Sequence, residues 1–242
     1  MKVGIVQIKP IKGNIEQNLN NHIKFIKQAI KYNADLIMFP ELSLTGYEPE
    51  LAKELATTQY DKRLDRLQDL SNKGKIIIAA GVPTTENSWI FISMIIFQPE
   101  KERITYSKQY LYPTETDVFT PGKNPLVIRF DEENIIAPAI CFELSNKEHI
   151  ENARKENATI YMASVLNSVN GVDADIEKLS RIASNYKMTT FMSNYIGQSG
   201  GYQCAGKSSI WNNEGKLIAQ LDDITEGFLI YDTASGEIIN WK

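Results

Sequence analysis

Residues 2–39 read KVGIVQIKPIKGNIEQNLNNHIKFIKQAIKYNADLIMF, and the spacing of their apolar side chains decides the fold. Lys2–Ile8 alternates as a strand does, whereas Asn14–Tyr32 repeats apolar residues at helical spacing. The short apolar run Leu36–Phe39 follows. This stretch therefore predicts a β-α-β unit, in which one helix connects two strands of a sheet.

The remainder of the chain continues to alternate between helical and strand-like patterns. Helical periodicity is found at Tyr60–Ser71, Asn146–Glu156 and Ala174–Tyr186. The strand-like runs are Lys75–Val82, Trp89–Gln98, Arg103–Ser107, Pro125–Phe130, Ile135–Cys141, Thr159–Ala163, Thr190–Tyr195, Lys207–Trp211, Lys216–Gln220 and Phe228–Tyr231. Interleaving of this kind predicts an α/β protein or a layered α/β sandwich. Because no linker, low-complexity tract or repeat divides the sequence, residues 1–242 are expected to form a single domain.

Composition and charge exclude several classes of function. With 242 residues, of which 43% are hydrophobic, the chain is long enough for a large core. A net charge of −4 with scattered Lys and Arg argues against a nucleic-acid partner. Lys9 and Lys12 interrupt the N-terminal apolar run too early for a signal peptide, and no later run approaches the length of a membrane span. We therefore expect no membrane partner and a cytoplasmic location.

The cysteines and histidines do not suggest a metal centre. Cys141 and Cys204 are the only two cysteines, too few for a disulfide framework. Cys204 is expected to be a small buried side chain or a neutral loop residue. His22 is expected on the polar side of the first helix and His149 on the helix after Cys141, as surface or helix-end histidines. Neither has a partner at metal-ligand spacing.

Three reactive side chains follow predicted strands. Glu41 comes after the apolar run 36–39 and Pro40, Lys108 closes the run 103–107, and Cys141 ends the run 135–141. Active sites of open α/β sheets collect at the ends of strands. The sequence therefore predicts that a carboxylate, an ammonium and a thiol meet there, although each of them taken alone has an ordinary structural explanation.

Together these three groups are sufficient for nucleophilic catalysis. The carboxylate takes the proton of the thiol, and the ammonium stabilises the thiolate and the developing oxyanion. The backbone N–H of Phe142, directly after the cysteine, is expected to be a second oxyanion donor. A helix following Cys141 is expected to favour its thiolate form.

The segments around these residues resemble three motifs of the nitrilase, or carbon–nitrogen hydrolase, superfamily. Phe39–Tyr47 (FPELSLTGY) resembles the base motif of the superfamily. Lys108–Glu115 (KQYLYPTE), with Phe119–Gly122 (FTPG), resembles its lysine motif, and Ile140–Glu143 (ICFE) its nucleophile motif. The motifs occur in the superfamily's order, and the resemblance covers nearly the whole chain.

This resemblance implies a role for each residue. Glu41 would be the general base, Lys108 the stabiliser of the oxyanion, Cys141 the nucleophile, and Glu115 an additional carboxylate that positions substrate or assists proton transfer. The implied fold is an α-β-β-α sandwich of four layers, usually paired, so that a homodimer is expected. The implied reaction attacks a small-molecule amide, or less commonly a nitrile, through a thioester and requires neither metal nor organic cofactor.

The departures from the superfamily pattern concern the substrate. Many amidases carry an arginine shortly after the nucleophile, whereas this chain has Glu143, followed by Ser145, Asn146 and Lys147. A Cys-aromatic-Glu sequence also resembles true nitrilases and the membrane-embedded lipoprotein N-acyltransferases, so the subclass stays open. Five residues are possible contacts of the substrate and equally possible packing residues: Tyr47, Tyr112, Ser164, Asn167 and Tyr195.

A rival motif and two rival functions accompany the main hypothesis. Gly197–Gly201 (GQSGG) matches the nucleophile elbow of α/β-hydrolases, but no helix pattern and no histidine follow Ser199. The main hypothesis is an amidase acting on a small linear amide, an ω-amide or an N-carbamoyl compound. Hydrolysis of a nitrile and a non-catalytic binding role stay open, although the intact set Glu41, Lys108, Glu115 and Cys141 argues against the second.

Overall fold

The computed structural model describes residues 1–242 and contains two β-sheets that face each other. The first sheet has seven strands in the order β15-β14-β1-β2-β3-β4-β5. Their bounds are β1 Lys2–Gln7, β2 Leu36–Met38, β3 Ile77–Glu86, β4 Trp89–Phe97, β5 Ile104–Ser107, β14 Gly227–Asp232 and β15 Ile238–Trp241.

The second sheet has six strands in the order β13-β12-β9-β8-β7-β6. A separate hairpin, β10–β11, lies between β9 and β12 in the sequence. The bounds are β6 Ile128–Arg129, β7 Ile135–Ile140, β8 Ile160–Ser164, β9 Thr189–Ser193, β10 Ile196–Ser199, β11 Tyr202–Ala205, β12 Ser209–Trp211 and β13 Leu217–Gln220.

The β-α-β unit predicted from residues 2–39 is confirmed. β1 and β2 are parallel neighbours, with Val3 opposite Leu36. Helix α1, Ile15–Lys31, connects them. Its N-cap is Asn14, whose side chain accepts a hydrogen bond from Gln17 N. Because β1 and β2 are parallel, their carboxyl ends lie on the same side of the sheet, and Glu41 follows the carboxyl end of β2 there.

Helices cover the outer face of each sheet. α1 and α3, Asp65–Gly74, pack against the first sheet, and α5, Val172–Tyr186, packs against the second. α4, Lys147–Lys155, shares the second sheet's outer hydrophobic cluster, whereas α2, Ala52–Leu55, is a single short turn. The predicted α-β-β-α sandwich is therefore confirmed. None of these helices combines the length and apolar character needed to cross a membrane.

Strand β7 illustrates why the two sheets pack as they do. Its side chains alternate: Ile136 and Ile140 join the core between the sheets, whereas Ala137 and Ala139 join the cluster beneath α4 and α5. Pro138 lies within β7, although a proline donates no ladder hydrogen bond. It is tolerated because β6 pairs only with Ile135 and Ile136, so the strand has one neighbour at this point.

The sequence patterns did not predict the strands β10, β11 and β15 or the short helix α2, and these three strands are short and only partly apolar. The hairpin β10–β11 contains Gly197 and polar residues, and β15 has exposed and half-buried side chains. Neither produces a clear alternation of apolar and polar residues. Both are held in place by pairing, β11 against β10 and β15 against β14.

Candidate active site

Glu41 lies in a tight loop directly after β2. The loop is fixed from the second sheet, because Ser164 Oγ donates to Phe39 O at 2.9 Å and Tyr195 Oη donates to Glu41 O at 2.5 Å. From the first sheet, β3 approaches closely at Gly81. A Cβ atom there would stand 2.3 Å from Leu42 N, so only glycine fits. The backbone of the loop that carries Glu41 is thus held from both sides.

His22 supports the same loop and lies in the core, which corrects the expectation of a surface histidine. Its Nε2 lies 2.9 Å from Ser43 Oγ, its Nδ1 lies 2.7 Å from Asn18 O, and its ring stacks on Phe39. Because a carbonyl only accepts, Nδ1 carries the proton and Nε2 accepts from Ser43. Burial lowers the pKa of His22 to about 4, so the ring is neutral at pH 7. The helical pattern of α1 predicted a polar position for His22 because it lies outside the apolar stripe of the helix. In the structure, the loop that contains Ser43 covers this position.

Lys108 follows β5 and lies between two carboxylates. Its Nζ donates to Glu41 Oε1 and to Glu115 Oε1, each at 2.8 Å, and all three side chains are buried. Glu115 also accepts from Tyr47 Oη at 2.8 Å and from Tyr112 N at 2.7 Å. An ammonium has three N–H groups, so one remains for a further acceptor. Burial lowers the pKa of Lys108, but the charges of Glu41, Cys141 and Glu115 outweigh it and raise the pKa above 10.5.

Cys141 is brought to the same place by the second sheet. It follows β7 and opens a 3₁₀ turn, Cys141–Ser145, with a φ of 47°. A positive φ is uncommon for a residue other than glycine and is often found where a side chain is held for function. Its Sγ lies 3.8 Å from Leu166 O.

Burial of Cys141 favours a neutral thiol, whereas the sequence predicted a thiolate. Burial and the negative charge of Glu41 raise the pKa of Cys141 well above 9.0, and Lys108 only partly opposes them. Burial also raises the pKa of Glu41 from 4.5 to about 7, with Lys108 and Cys141 acting in the opposite direction. Glu41 Oε2 is buried without a hydrogen-bond partner. The arrangement suits proton transfer from a thiol to a carboxylate better than a resting thiolate.

Glu143 connects the turn of Cys141 to the end of β5. Its Oε2 accepts from Ile140 N at 2.7 Å and from Tyr106 Oη at 2.8 Å, while its Oε1 accepts from Gln109 N at 2.6 Å. Gln109 directly follows Lys108. Burial raises the pKa of Glu143 from 4.5 to about 7. This carboxylate therefore joins the backbones that carry Cys141 and Lys108.

His149 lies in the first turn of α4, as expected of a helix-end histidine, but it is buried and belongs to the same network. Its Nε2 lies 2.9 Å from Tyr106 Oη and its Nδ1 lies 2.9 Å from Tyr161 Oη. Burial lowers its pKa to about 4. His149 is on the buried side of α4 with Ile150 and Ala153, which share the outer cluster of the second sheet with Tyr161.

A cavity of about 320 Å³ opens onto Cys141 and Glu41. Of the expected residues, Glu115, Phe142, Tyr47, Tyr112 and Asn167 also form its wall. Lys108 lies beneath the wall and is fully buried. Ser164 and Tyr195 do not border the cavity, because their hydroxyls hold the Glu41 loop as described above.

The cavity wall includes residues that the sequence did not indicate. These come from the Cys141 turn, the loop after β8, the start of α5 and the hairpin: Ser145, Leu166, Ser168, Gly171, Ala174, Asp175, Lys178 and Tyr202. Asp175 and Lys178 match the ordinary polar face of an amphipathic helix, so no pattern distinguishes them. Only the position of α5 beside the nucleophile turn brings them to the cavity.

Ser199 and Cys204 have structural surroundings. Ser199 Oγ accepts from Tyr47 N at 2.9 Å, and the chain continues into β11 instead of a helix. Cys204 is buried and free, on the same hairpin. No group of three or more His, Cys, Asp or Glu side chains is arranged to hold a metal ion.

Comparison with known proteins places this geometry in a family. The carbon-nitrogen hydrolase family model matches residues 2–242. Among curated proteins, the glutamine-dependent NAD(+) synthetase of Acinetobacter baylyi is 26% identical over 235 residues, which cover 93% of this chain and 42% of that protein. The chain thus spans less than half of that relative. The nitrilase of Pyrococcus abyssi is 24% identical over 238 residues, covering 93% of this chain and 87% of that protein.

A similar solved structure supports the same fold. A variant of an amidase from Nesterenkonia sp. AN1 superposes with a TM-score of 0.87 at 21% identity, covering 96% of this chain and 92% of that one. In that amidase, acrylamide has added to the active-site cysteine. At this identity, the likeness concerns the fold.

Proposed function

The chain belongs to the carbon-nitrogen hydrolase family, and we propose that residues 1–242 act as one hydrolase domain of this kind. The substrate is a small linear amide, an ω-amide or an N-carbamoyl compound, and it is cleaved through a thioester on Cys141. The observation that carries the proposal is the buried carboxylate of Glu41. Lys108 donates to Glu41 Oε1, whereas Glu41 Oε2 is buried without a hydrogen-bond partner, and Glu41 lines the same cavity as Cys141. A carboxylate with a pKa of about 7 is suited to accept a proton at neutral pH.

In the first half of the reaction, Cys141 Sγ bonds to the amide carbonyl carbon while its proton passes to Glu41. The carbonyl oxygen becomes an oxyanion, which Lys108 and the backbone N–H of Phe142 stabilise. The N–H groups at the start of a helical turn lack intrahelical partners, and Phe142 is the second residue of its turn. Glu41 then returns the proton to the leaving nitrogen, which departs as ammonia or an amine.

In the second half, Glu41 takes a proton from water, and the resulting hydroxide attacks the thioester. The carbon–sulfur bond breaks, the acid leaves, and Cys141 regains its proton. Glu115 has a positioning role in this proposal. It holds the ammonium of Lys108 and the hydroxyl of Tyr47 with one oxygen, which keeps Lys108 fixed beneath the cavity.

The test is ammonia release from a panel of small amides, ω-amides, N-carbamoyl compounds and nitriles. The wild type and Cys204→Ala, which removes the other free thiol, are expected to release ammonia, whereas Cys141→Ala is expected to release none. Release from nitriles alone would favour the nitrilase alternative. No release from any compound, with Cys141 unreactive toward iodoacetamide, would instead favour a non-catalytic binding protein. The homodimer and the cytoplasmic location are further proposals, and the first is tested by light scattering.

A further inference from the structure

A pair of opposite charges lies in the cavity wall, outside the catalytic group. Lys178 and Asp175 are on α5, three residues apart, and Lys178 Nζ lies 2.8 Å from Asp175 Oδ1. Lys178 Nζ also donates to Ser145 Oγ at 2.8 Å. Ser145 ends the turn that Cys141 begins. The charge pair is therefore tied to the backbone segment that carries the nucleophile.

Both ends of this turn, Cys141 and Ser145, line the cavity. A 3₁₀ helix rises about 2.0 Å per residue, so Cys141 and Ser145 are separated by about 8 Å along its axis. A compound with a short linear spacer can thus place an amide at Cys141 and a polar group at Lys178. Longer compounds reach the rim, where Tyr112 and Tyr202 are both exposed.

The charges decide what kind of polar group fits. An uncharged alkyl end would leave the ion pair covered by apolar atoms, at a cost in desolvation. An anion alone would meet Lys178 but would also approach the carboxylate of Asp175. A group with both charges complements the pair: its carboxylate takes the remaining N–H capacity of Lys178, and its ammonium takes a free lone pair of Asp175.

We propose that Lys178 and Asp175 select an ω-amide whose far end is an α-amino acid head group, with the carboxylate on Lys178 and the ammonium on Asp175. This inference rests on the proposed function, since it assigns the substrate class of the same site. The amide nitrogen of such a compound leaves as ammonia, and the side chain becomes a carboxylate. Lys178 and Asp175 bind the end of the substrate that does not react.

A matched series of probes tests the assignment: L-glutamine, glutaramate, which lacks the amino group, 4-aminobutanamide, which lacks the carboxylate, and butanamide, which lacks both. The kcat/KM of the wild type is expected to be at least tenfold higher for L-glutamine than for any other probe. Lys178→Met is expected to lower the ratio of kcat/KM for L-glutamine to that for butanamide at least tenfold. Asp175→Asn is expected to lower the ratio for L-glutamine to that for glutaramate.

Lys155→Met, which removes one exposed lysine from α4, is the charge-matched control and should leave both ratios unchanged. A wild type that prefers butanamide, or a Lys178→Met variant that slows every probe equally, would overturn the assignment while leaving the proposed hydrolase intact. Absence of ammonia from every probe and from the wider panel would instead refute the proposed function. The ranking of probes by the wild type does not depend on whether any variant folds.

Discussion

At the scale of single residues, the environment of Glu41 fixes how activity should depend on pH. Burial raises the pKa of this carboxyl to about 7, and it accepts a proton only when ionised. The kcat/KM is therefore expected to rise with pH through about 7 and to level above it. Ammonia release between pH 5 and 9 measures this, and a flat profile would contradict the assignment of Glu41 as the base.

Replacing the Glu41 carboxylate should lower the catalytic rate. A general base contributes on the order of 10²–10⁴ in rate. Glu41→Gln is therefore expected to lower kcat by at least about a hundredfold. Glu50→Gln, which alters an exposed carboxylate paired with Lys12, is the control and should retain wild-type kcat.

Glu143 provides a second prediction at this scale, as a positioning residue. Glu143→Gln turns an oxygen that accepts from Ile140 N, Tyr106 Oη or Gln109 N into an NH₂ donor. An unsatisfied buried donor costs about 1–3 kcal/mol, so kcat/KM is expected to fall roughly 10- to 100-fold. The midpoint near pH 7 should stay unchanged because Glu41 is retained. Glu151→Gln on α4, a half-exposed salt-bridge partner of Lys147, should change neither quantity.

A shifted pH midpoint in Glu143→Gln would contradict this role, since it would mean that Glu143 itself titrates in catalysis. Unchanged kcat/KM would equally contradict it. The sequence showed Glu143 only as a departure from the amidase pattern. Its three donors come from two segments of the chain, and spacing along the sequence does not reveal that they converge.

At the scale of elements, β3 lies so close to the Glu41 loop at Gly81 that no side chain is expected to fit between them. In Gly81→Ala, the new Cβ would stand 2.3 Å from Leu42 N and 2.8 Å from Pro40 O. Because both contacts are backbone, the loop must move, and the free energy of unfolding is expected to fall by about 1–3 kcal/mol. Urea unfolding measures this, and kcat is expected to fall as Glu41 moves.

Gly171→Ala is the control for stability, because the nearest atom to its Cβ would be 3.9 Å away and its φ is negative. We expect it to change the free energy of unfolding by less than the Gly81 variant. Equal stability and equal kcat of Gly81→Ala and the wild type would contradict the argument that this close approach fixes the catalytic loop.

The elements that the sequence predicted correctly are those with long or strongly apolar patterns. α1, α4, α5 and the central strands agree with their predicted runs within a few residues. β15 and the hairpin β10–β11 were missed because their side chains are exposed or mixed. His22 was misplaced for a related reason: α1 is covered on one side by the loop of Ser43, and a helical period describes only the helix itself.

At the scale of the whole molecule, the candidate site exists only because two sheets face each other. Glu41 and Lys108 follow β2 and β5 of the first sheet, and Cys141 follows β7 of the second. Their positions after predicted strands indicated from the sequence that these three residues would lie close together. The same reasoning did not predict that Asp175 and Lys178 line the cavity, because their position depends on how α5 packs beside the turn 141–145.

The buried histidines should make stability depend on pH in a defined direction. Between pH 4 and 6.5 the unfolded chain binds a proton at His22 that the folded protein, with a pKa of about 4, does not bind. His22 therefore weakens the folded state as the pH falls from 6.5 toward 4. Glu41 and Glu143, with raised pKa values, act in the opposite direction, so the wild type alone is not diagnostic.

The informative quantity is the difference in free energy of unfolding between the wild type and His22→Gln. It is expected to be larger at pH 7.5 than at pH 4.5 by roughly 2.5 kcal/mol, because burial lowers the pKa of His22 from 6.5 to about 4. Lys155→Met, at an exposed site, should differ from the wild type by the same amount at both pH values. A pH-independent difference for His22→Gln would show that His22 is not buried as a neutral ring.

Rapid-quench mass spectrometry during turnover of the best amide from the panel tests whether Cys141 forms a covalent acyl-enzyme. We expect a mass increase equal to the acyl group, located on the peptide that contains Cys141 and formed at least as fast as ammonia is released. Cys141→Ala should show neither the adduct nor turnover. Ammonia release with no adduct on Cys141, and equally fast in Cys141→Ala, would contradict the account.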